Sequence, residues 1–277
     1  MLIKFKNSIN LIIHKITEIL IKFKIFRFIF FKVHEVVNLN VIRANNTSLK
    51  FYVNNYINKF RVDTLFTKEP DTIKWINTFN EGDIFYDIGS NIGLYTCYAA
   101  SKNIKTYSFE PSFFNTELLV KNINLNKLSD MVTIIPIPLY YKNSVSNFNL
   151  SQIEQGSALN SFSEKYGYDG KNLAVKMYYK TLGITLDNCL KNFELPKPNH
   201  IKIDVDGIEH LILKGSLDTL KNANSILIEI SDDFYEQKSK CEQILKDLDF
   251  KLISKENSNI FKGSKFEKCY NQIWKKK

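Results

Sequence analysis

The stretch DIFYDIGSNIGLYT, residues 83–96, decides the fold of this chain of 277 residues. Its first six residues form a short apolar run of the kind that becomes a buried strand, and Gly89 and Gly93 follow in a turn before a second apolar segment. Glycine has no Cβ, so the chain can turn sharply there and pass close to a ligand, and the next helix presents free N–H groups at its amino terminus. We therefore predict a strand, a ligand-binding turn and a helix.

Strands and helices alternate along much of the chain. The predicted strands are 83–88, 105–109, 131–137, 200–205 and 225–230, and the predicted helices are 91–101, 112–125, 208–220 and 234–248. Such alternation implies parallel strands with helices on both faces of the sheet. The short runs 250–254 and 269–274 are expected to add an antiparallel pair. The predicted fold is α/β: a doubly wound, mostly parallel, Rossmann-like sheet of about seven strands with an antiparallel final strand.

Composition and charge narrow the class of protein. Apolar residues make up 44% of the chain and charged residues 24%, which is typical of a globular protein. Residues 1–43 hold eight Lys or Arg and two Glu, and residues 275–277 are lysines, so the net charge of +9 lies at the two ends. Residues 44–274 therefore have no net charge, which argues against a nucleic-acid partner. The four cysteines form no C-x-x-C pair, which fits reduced thiols in the cytoplasm.

Residues 1–60 are predicted to form an amphipathic helical extension before a domain over residues 61–277. Apolar residues recur every three or four positions from Ile9 to Val37, which indicates one long helix or two shorter ones, and charged residues interrupt every window long enough to span a membrane. The domain, a second subunit or a lipid surface can cover this apolar stripe. The basic ends favour peripheral contact of residues 1–43 with the anionic inner face of a membrane.

The carboxylate at the end of the first strand indicates the kind of ligand. The loop reads D-x-G-x-x-x-G from Asp87, unlike the G-x-G-x-x-G of dinucleotide sites, and an acid there would repel a pyrophosphate. A cationic ligand such as S-adenosylmethionine, with its ammonium and sulfonium, is favoured instead. Glu110 ends the second strand, and its two oxygens can accept hydrogen bonds from both hydroxyls of a ribose. Pro111 and Ser112 follow it, and Ser112 can cap the next helix.

Three segments together resemble a known family. FYDIGSNIGLYT at 85–96, FEP at 109–111 and IKIDVDGIEHLILKG at 201–215 resemble the FkbM-type methyltransferases, which are S-adenosylmethionine-dependent enzymes of the class I, Rossmann-like fold. TKEPDTIKWINTF at 67–79 and ILIEI at 226–230 also fit, so the resemblance runs from about residue 60 to 235. It implies an S-adenosylmethionine cofactor.

The resemblance also implies roles for particular residues. Those expected to bind the methionine end of the cofactor are Asp87, Gly89, Asn91 and Gly93, and Glu110 is expected to bind its ribose. Ser90, where the family usually has alanine, and Pro111 complete the predicted cofactor site.

A second cluster of carboxylates follows the fourth strand. Its members are candidate catalytic bases for an alcohol acceptor: Asp204, Asp206, Glu209 and His210. Asp204 and Asp206 are preferred, since alternation on a strand puts both on one face. Glu209 has the alternative role of stabilising a helix amino terminus, and His210 that of an ordinary histidine. Lys202 is expected on the opposite face, reaching solvent.

Other features of the sequence bear on the acceptor. Asp204, Asp206 and Glu229 offer oxygen ligands for Mg²⁺ or Ca²⁺, although we predict no metal and expect Glu229 to help orient the acceptor instead. Residues 140–199 interrupt the alternation of strands and helices and are predicted to be an inserted acceptor loop. Its aromatic residues suit a sugar, or are ordinary half-buried side chains: Tyr166, Tyr168, Tyr178 and Tyr179.

The sequence thus predicts an O-methyltransferase that transfers the methyl group of S-adenosylmethionine to a hydroxyl of a sugar, glycolipid or polysaccharide. The partner is a small molecule or a glycan, with no nucleic acid, and the location is the cytoplasm, peripheral to the membrane if residues 1–43 bind lipid. One alternative is a non-catalytic, membrane-associated binding protein that retains the fold. A weaker alternative is a nicotinamide-dependent oxidoreductase.

Overall fold

The computed structural model describes residues 2–37, 39–44 and 47–277. The chain divides into two units, Met1–Asn40 and Val41–Lys277. The first contains two helices, α1 (Leu2–Ile21) and α2 (Lys24–Val37), which agrees with the alternative of two shorter amphipathic helices. No helix among the described residues is both long and apolar enough to cross a membrane.

The remaining elements follow in chain order. The strands are β1 (Leu39–Ala44), β2 (Thr47–Tyr52), β3 (Ile84–Ile88), β4 (Lys105–Phe109), β5 (Val132–Ile135), β6 (Ser144–Leu150), β7 (Ser161–Phe162), β8 (Met177–Gly183), β9 (His200–Ile203), β10 (Ser225–Ser231), β11 (Phe250–Glu256) and β12 (Cys269–Lys276). The helices are α3 (Tyr56–Asp63), α4 (Pro70–Ile76), α5 (Leu94–Ala100), α6 (Phe113–Leu125), α7 (Leu186–Phe193), α8 (Glu209–Lys214), α9 (Leu217–Leu220) and α10 (Tyr235–Asp247), with a 3₁₀ turn at Asn259–Phe261.

The central sheet has seven strands in the order β11-β12-β10-β9-β3-β4-β5. Its strands pair in parallel except for β12, which lies antiparallel between β10 and β11. The prediction of a doubly wound, mostly parallel sheet with an antiparallel final strand is confirmed. The order reverses between β3 and β9, and ligands of such sheets bind at that reversal, beyond the carboxyl ends of the strands.

The prediction of a helical extension over residues 1–60 is wrong for Leu39–Ala44 and Thr47–Tyr52, which form the two-stranded sheet β1-β2. Leu49 and Phe51 are buried in the core beside Val62, while Lys50 between them is exposed, and this period of two is that of a strand. The N–H of Tyr52 donates to Oδ1 of Asn122 in α6 at 2.9 Å, which anchors β2 to that helix.

The segment 140–199 contains a second, three-stranded antiparallel sheet in the order β7-β6-β8, followed by α7. The Cβ of any residue replacing Gly183 would lie 2.3 Å from the Phe162 ring, so this sheet needs glycine there. Phe148 and Phe162 are buried in the same core cluster as Tyr86 and Ile203 of the central sheet. The segment is therefore an ordered part of the second unit.

Candidate active site

Two glycines shape the turn after β3. Gly89 has φ +84°, and a Cβ there would lie 1.9 Å from the backbone oxygen of Asp204, so only glycine allows the two strand ends to come this close. Gly93 also has φ +84°, and a Cβ there would lie 2.4 Å from Cδ1 of Leu119. The second glycine thus makes room for Leu119 of α6.

Glu110 lies at the end of β4, facing this turn. Its Oε2 accepts from the N–H of Asn91 at 2.8 Å and its Oε1 from the N–H of Ser112 at 2.9 Å. These bonds fix the carboxylate, which is 5% exposed. Burial raises the pKa of Glu110 to about 7. Oε1 also accepts from Nδ2 of Asn115 at 3.4 Å, whereas Oε2 keeps a free lone pair that can accept from a ligand.

Asp87 lies beneath the turn instead of in the cleft. It is 1% exposed, its Oδ2 accepts from Oγ1 of Thr96 at 2.6 Å, and burial raises its pKa. It lines neither of the cavities that flank the turn. Its position therefore suits support of the turn and long-range charge rather than direct contact with a ligand.

The expectation that Lys202 reaches solvent is wrong. Lys202 is 1% exposed, and its Nζ donates to Oδ2 of Asp204 at 2.7 Å. Residues two apart on a strand share a face, and the parallel register of β3 and β9 pairs Lys202 with Asp87. Burial lowers the pKa of Lys202, but the carboxylates of Asp204, Asp87 and Glu69 outweigh that effect and raise it. Lys202 is thus a buried cation whose charge is stabilised by three acids.

Three cavities open at the reversal of strand order, and all three are lined by Gly89, Asn91 and Asp204. Cavity A has a volume of about 560 Å³, cavity B about 460 Å³ and cavity C about 1100 Å³. The lining of cavity A also includes Glu110, Leu139, Phe148, Phe162 and Asp206. The lining of cavity B also includes Arg61, Lys68, Glu69, Tyr95 and Lys202. The lining of cavity C also includes Arg61, Lys68, Asp206, Glu229, Phe261 and Phe266. A bound molecule with three branches would have its branch point beside Asp204.

Asp206 lies at the border of cavities A and C. It has φ +64°, and its Oδ2 accepts from the N–H of Leu159 at 2.7 Å. Burial, followed by the charge of Asp204, raises its pKa to about 6. Oxygens of Asp204, Asp206 and Glu229 lie within 4.8 Å of one another, which brings together the three acids named from the sequence.

Glu209 and His210 lie behind the acids instead of beside them. Glu209 is fully buried, and its carboxylate accepts from the N–H groups of Val205 and Gly207 at 3.0 Å each and from the side-chain amide of Gln237. Burial raises the pKa of Glu209 to about 7. His210 is 3% exposed and packs edge-on against Phe234, and burial lowers its pKa to about 4. Neither residue lines cavity A, B or C.

The inserted segment contributes phenylalanines and small residues to the cleft rather than tyrosines, since Phe148 and Phe162 line cavity A. Ser157 and Ala158 line cavity A, and the Ser157 carbonyl accepts from Nδ2 of Asn91 at 2.8 Å. The four tyrosines named from the sequence line none of the three cavities. Tyr179, for example, donates to the Pro111 carbonyl at 2.7 Å and stacks on Phe113.

Several residues of the cleft were missed by sequence reasoning. Arg61 and Lys68 come from the segment before β3, and Phe261 and Phe266 come from the connection between β11 and β12. For Lys68 there was a signal, since it lies in the TKEPDT stretch that entered the resemblance. For Phe261 and Phe266 no local pattern marks a site.

Comparison with known proteins identifies the family. The profile of the methyltransferase FkbM domain matches residues 87–252, more than half of the chain. The chain belongs to this family. The FkbM segment contains the turn after β3, Glu110 and the acids that follow β9, so the match covers most of the cleft.

Relatives of this FkbM chain include one curated protein and several solved structures. The hexuronic acid methyltransferase AglP of Haloferax volcanii is 32% identical over 163 residues, which are 58% of this chain and 62% of that protein. The chain therefore spans less than two thirds of that relative.

Solved structures of two other proteins also align with this chain. A Streptococcus mutans protein described as a SAM-dependent methyltransferase aligns with a TM-score of 0.50 and 11% identity, over 86% of this chain and 55% of that one. The FkbM methyltransferase of Methylobacillus flagellatus KT aligns with a TM-score of 0.47 and 13% identity, over 71% of this chain and 44% of that one. At these identities the likeness concerns the fold alone.

Proposed function

We propose that this protein is an S-adenosylmethionine-dependent O-methyltransferase that methylates a hydroxyl of a sugar or glycan. The observation that carries the proposal is the meeting of three cavities at Gly89, Asn91 and Asp204. A methyl donor of this kind has a nucleoside branch and an amino-acid branch, and the acceptor must approach the sulfur between them. Family membership supports the same reaction class.

The residues of cavities A and B fit such a donor. In cavity A, Glu110 would accept from a ribose hydroxyl, and Leu139, Phe148 and Phe162 would cover the base with apolar surface. Cavity B contains both acidic and basic side chains, including Glu69 and Lys68, which suits a zwitterionic amino acid. When bound, the donor supplies an electrophilic methyl group on a positively charged sulfur.

Asp206 is proposed as the base that takes the proton of the acceptor hydroxyl. The hydroxyl oxygen gains the methyl group, its proton passes to Asp206, and the electron pair of the broken carbon–sulfur bond stays on the sulfur. Asp206 accepts a hydrogen bond from a neutral peptide N–H, whereas Asp204 already binds the ammonium of Lys202. A pKa of about 6 leaves Asp206 mostly ionised at neutral pH, as a general base requires.

Cavity C suits a sugar as the acceptor. Phe261 and Phe266 offer aromatic faces to the apolar side of a sugar ring, and Asp206 and Glu229 offer acceptors for its hydroxyls. The relative AglP is named a hexuronic acid methyltransferase, which supports an acceptor of the sugar class for this chain as well.

The test is transfer of labelled methyl from S-adenosylmethionine to a panel of hexoses, uronic acids and extracted glycans. We expect label in at least one sugar acceptor with the intact protein, and loss of it in Asp206→Asn. Binding of the donor with no transfer to any acceptor would favour the alternative of a non-catalytic binding protein. Reduction or oxidation of a nicotinamide cofactor would favour an oxidoreductase.

We further propose that residues 2–37 bind an anionic membrane surface, which would put a cytoplasmic enzyme at the inner face of the membrane. Ile12, Ile16, Ile19 and Phe23 are each more than half exposed. The same segment carries several basic side chains, namely Lys15, Lys22, Lys24 and Arg27. In a helix that lies on a membrane, apolar side chains insert at the boundary with the acyl chains, and basic side chains are attracted to anionic headgroups.

Sedimentation with vesicles tests the membrane proposal. The intact chain should sediment with vesicles that contain 30% phosphatidylserine and much less with pure phosphatidylcholine. The variant Ile16→Asp/Phe23→Asp should stay in the supernatant, whereas the matched control Tyr56→Asp, at an exposed position outside these helices, should sediment as the wild type does. Equal sedimentation of all three proteins would contradict the proposal.

A further inference from the structure

Arg61 in α3 is a cation of the cleft that forms no salt bridge with an acid in the described part of the chain, although its charge lowers the pKa of Asp206. It is half-buried and lines both cavity B and cavity C. Its Nε donates to the carbonyl oxygen of Gly156 at 2.7 Å, which is a neutral acceptor. A guanidinium has five N–H donors, so this bond orients the group and leaves further donors for an anion.

Lys68 is a second cation that lines both cavity B and cavity C. Its Nζ lies 2.6 Å from Oε1 of Glu69 and 5.3 Å from the centre of the Phe261 ring. Burial and the charge of Arg61 lower the pKa of Lys68, but the charges of Glu69 and Asp204 outweigh them and raise it. Arg61 and Lys68 both line cavities B and C, so an anion in either cavity could interact with both cations.

We propose that Arg61, assisted by Lys68, binds a carboxylate of a reactant at the border of cavities B and C. The inference rests on the proposed function and adds a binding site for one chemical group. Two reactants can supply that group: the methionine part of the donor in cavity B, or an acidic sugar in cavity C. A guanidinium matches the planar carboxylate with two parallel hydrogen bonds in either case.

The experiment compares the wild type with Arg61→Met in four binding titrations. S-adenosylhomocysteine contains the amino-acid carboxylate, and 5′-methylthioadenosine lacks the whole amino-acid part. Glucuronate contains a carboxylate that glucose lacks, and both sugars are titrated into the S-adenosylhomocysteine complex with detection by saturation-transfer NMR. The matched control is Lys59→Met, which removes an exposed cation of the same helix outside the three cavities.

If the donor supplies the carboxylate, Arg61→Met should lower the affinity for S-adenosylhomocysteine at least about tenfold and leave the affinity for 5′-methylthioadenosine unchanged. If the acceptor supplies the carboxylate, Arg61→Met should keep the wild-type affinity for S-adenosylhomocysteine and lose binding of glucuronate, while binding of glucose should not change. Arg61→Lys should restore part of the lost affinity in either case, because lysine keeps the positive charge but lacks the two parallel N–H donors of the guanidinium.

The inference would be overturned if the wild type and Arg61→Met had equal affinities for S-adenosylhomocysteine and for glucuronate. Binding of 5′-methylthioadenosine by both proteins would still support the proposed function. If the wild type binds neither nucleoside, the proposed function itself fails, and this inference fails with it.

Discussion

Lys202 and Asp204 form an ion pair of 2.7 Å at the carboxyl end of β9, with the lysine side chain 1% exposed and the aspartate side chain 24% exposed. The lysine comes from the sheet interior, and the aspartate lines all three cavities of the cleft. A buried cation therefore holds in place the acid at the point where the cavities meet. The same ammonium balances Asp87 and Glu69.

Replacing this lysine should destabilise the protein. Lys202→Met leaves Asp87 and Asp204 without their buried partner, and loss of one partner of a buried pair costs about 3 kcal/mol. Chemical denaturation should show that loss in the free energy of unfolding. Lys221→Met removes a lysine from an exposed pair with Asp218 and should leave unfolding unchanged. Equal stability of both variants would argue against a structural role for the Lys202 charge.

The pKa of Asp206 predicts the dependence of activity on pH. A general base acts when it is deprotonated, so kcat/KM should rise as pH passes through about 6 and then level off. Asp206→Asn should lower kcat at least about a hundredfold, and any residual activity should lack that rise. Asp130→Asn, which changes an exposed acid, should keep the wild-type profile. A rise near pH 6 that persists in Asp206→Asn would assign the base to another group.

Glu209 should act as a positioning residue for the loop that presents Asp204 and Asp206. Glu209→Ala leaves the N–H groups of Val205 and Gly207 without their acceptor, and we expect a loss of about 2 kcal/mol in unfolding free energy together with a lower kcat.

Glu209→Gln keeps one carbonyl oxygen as acceptor and should recover most of the stability and kcat, with the pH profile unchanged. A base cannot be replaced in this way, so a Glu209→Gln variant that folds as the wild type does yet has no activity would show a chemical role instead.

A hydrogen-bonded Ser–His–Asp group lies at the amino ends of the strands and should respond to acid. Nδ1 of His200 lies 2.7 Å from Oγ of Ser225, its Nε2 lies 3.1 Å from Asp83, and Nε1 of Trp75 donates to the same serine. Burial lowers the pKa of His200, although Asp83 acts in the opposite sense. A histidine with a lowered pKa in the folded state binds fewer protons than in the unfolded state, so it costs stability as pH falls below about 6.5.

Comparing unfolding free energies of the wild type and His200→Gln between pH 7 and pH 5 measures that linkage. The wild type should lose more stability than the variant over this range. Parallel curves would show that His200 has the same proton affinity in both states.

The local part of this site was predictable from the sequence. Gly89 and Glu110 each lie directly after a strand, and parallel strands bring their carboxyl ends to one edge of the sheet. The parallel, doubly wound arrangement of the sheet followed from the alternation of strands and helices. Such features depend on spacing over a few residues, which a single sequence displays.

Features that depend on neighbours distant in the chain were not predictable in this way. The burial of Lys202 follows from its register with Asp87 in the adjacent strand, and the walls of cavity C come from residues 61, 68, 261 and 266. Their proximity is a product of the folded sheet. The strand β2 was missed because its alternation is short and follows a long apolar helical pattern.

The measurement that tests the central claim most directly is calorimetric titration of S-adenosylhomocysteine into the wild type and Glu110→Ala. We predict saturable binding by the wild type and affinity lower by about a hundredfold in the variant, because a hydrogen bond from a ribose hydroxyl to a carboxylate is lost and the N–H of Asn91 loses its acceptor. Glu117→Ala, at an exposed position of α6, should bind as the wild type does. Failure of the wild type to bind, or equal affinities in wild type and Glu110→Ala, would contradict the assignment of cavity A to the nucleoside.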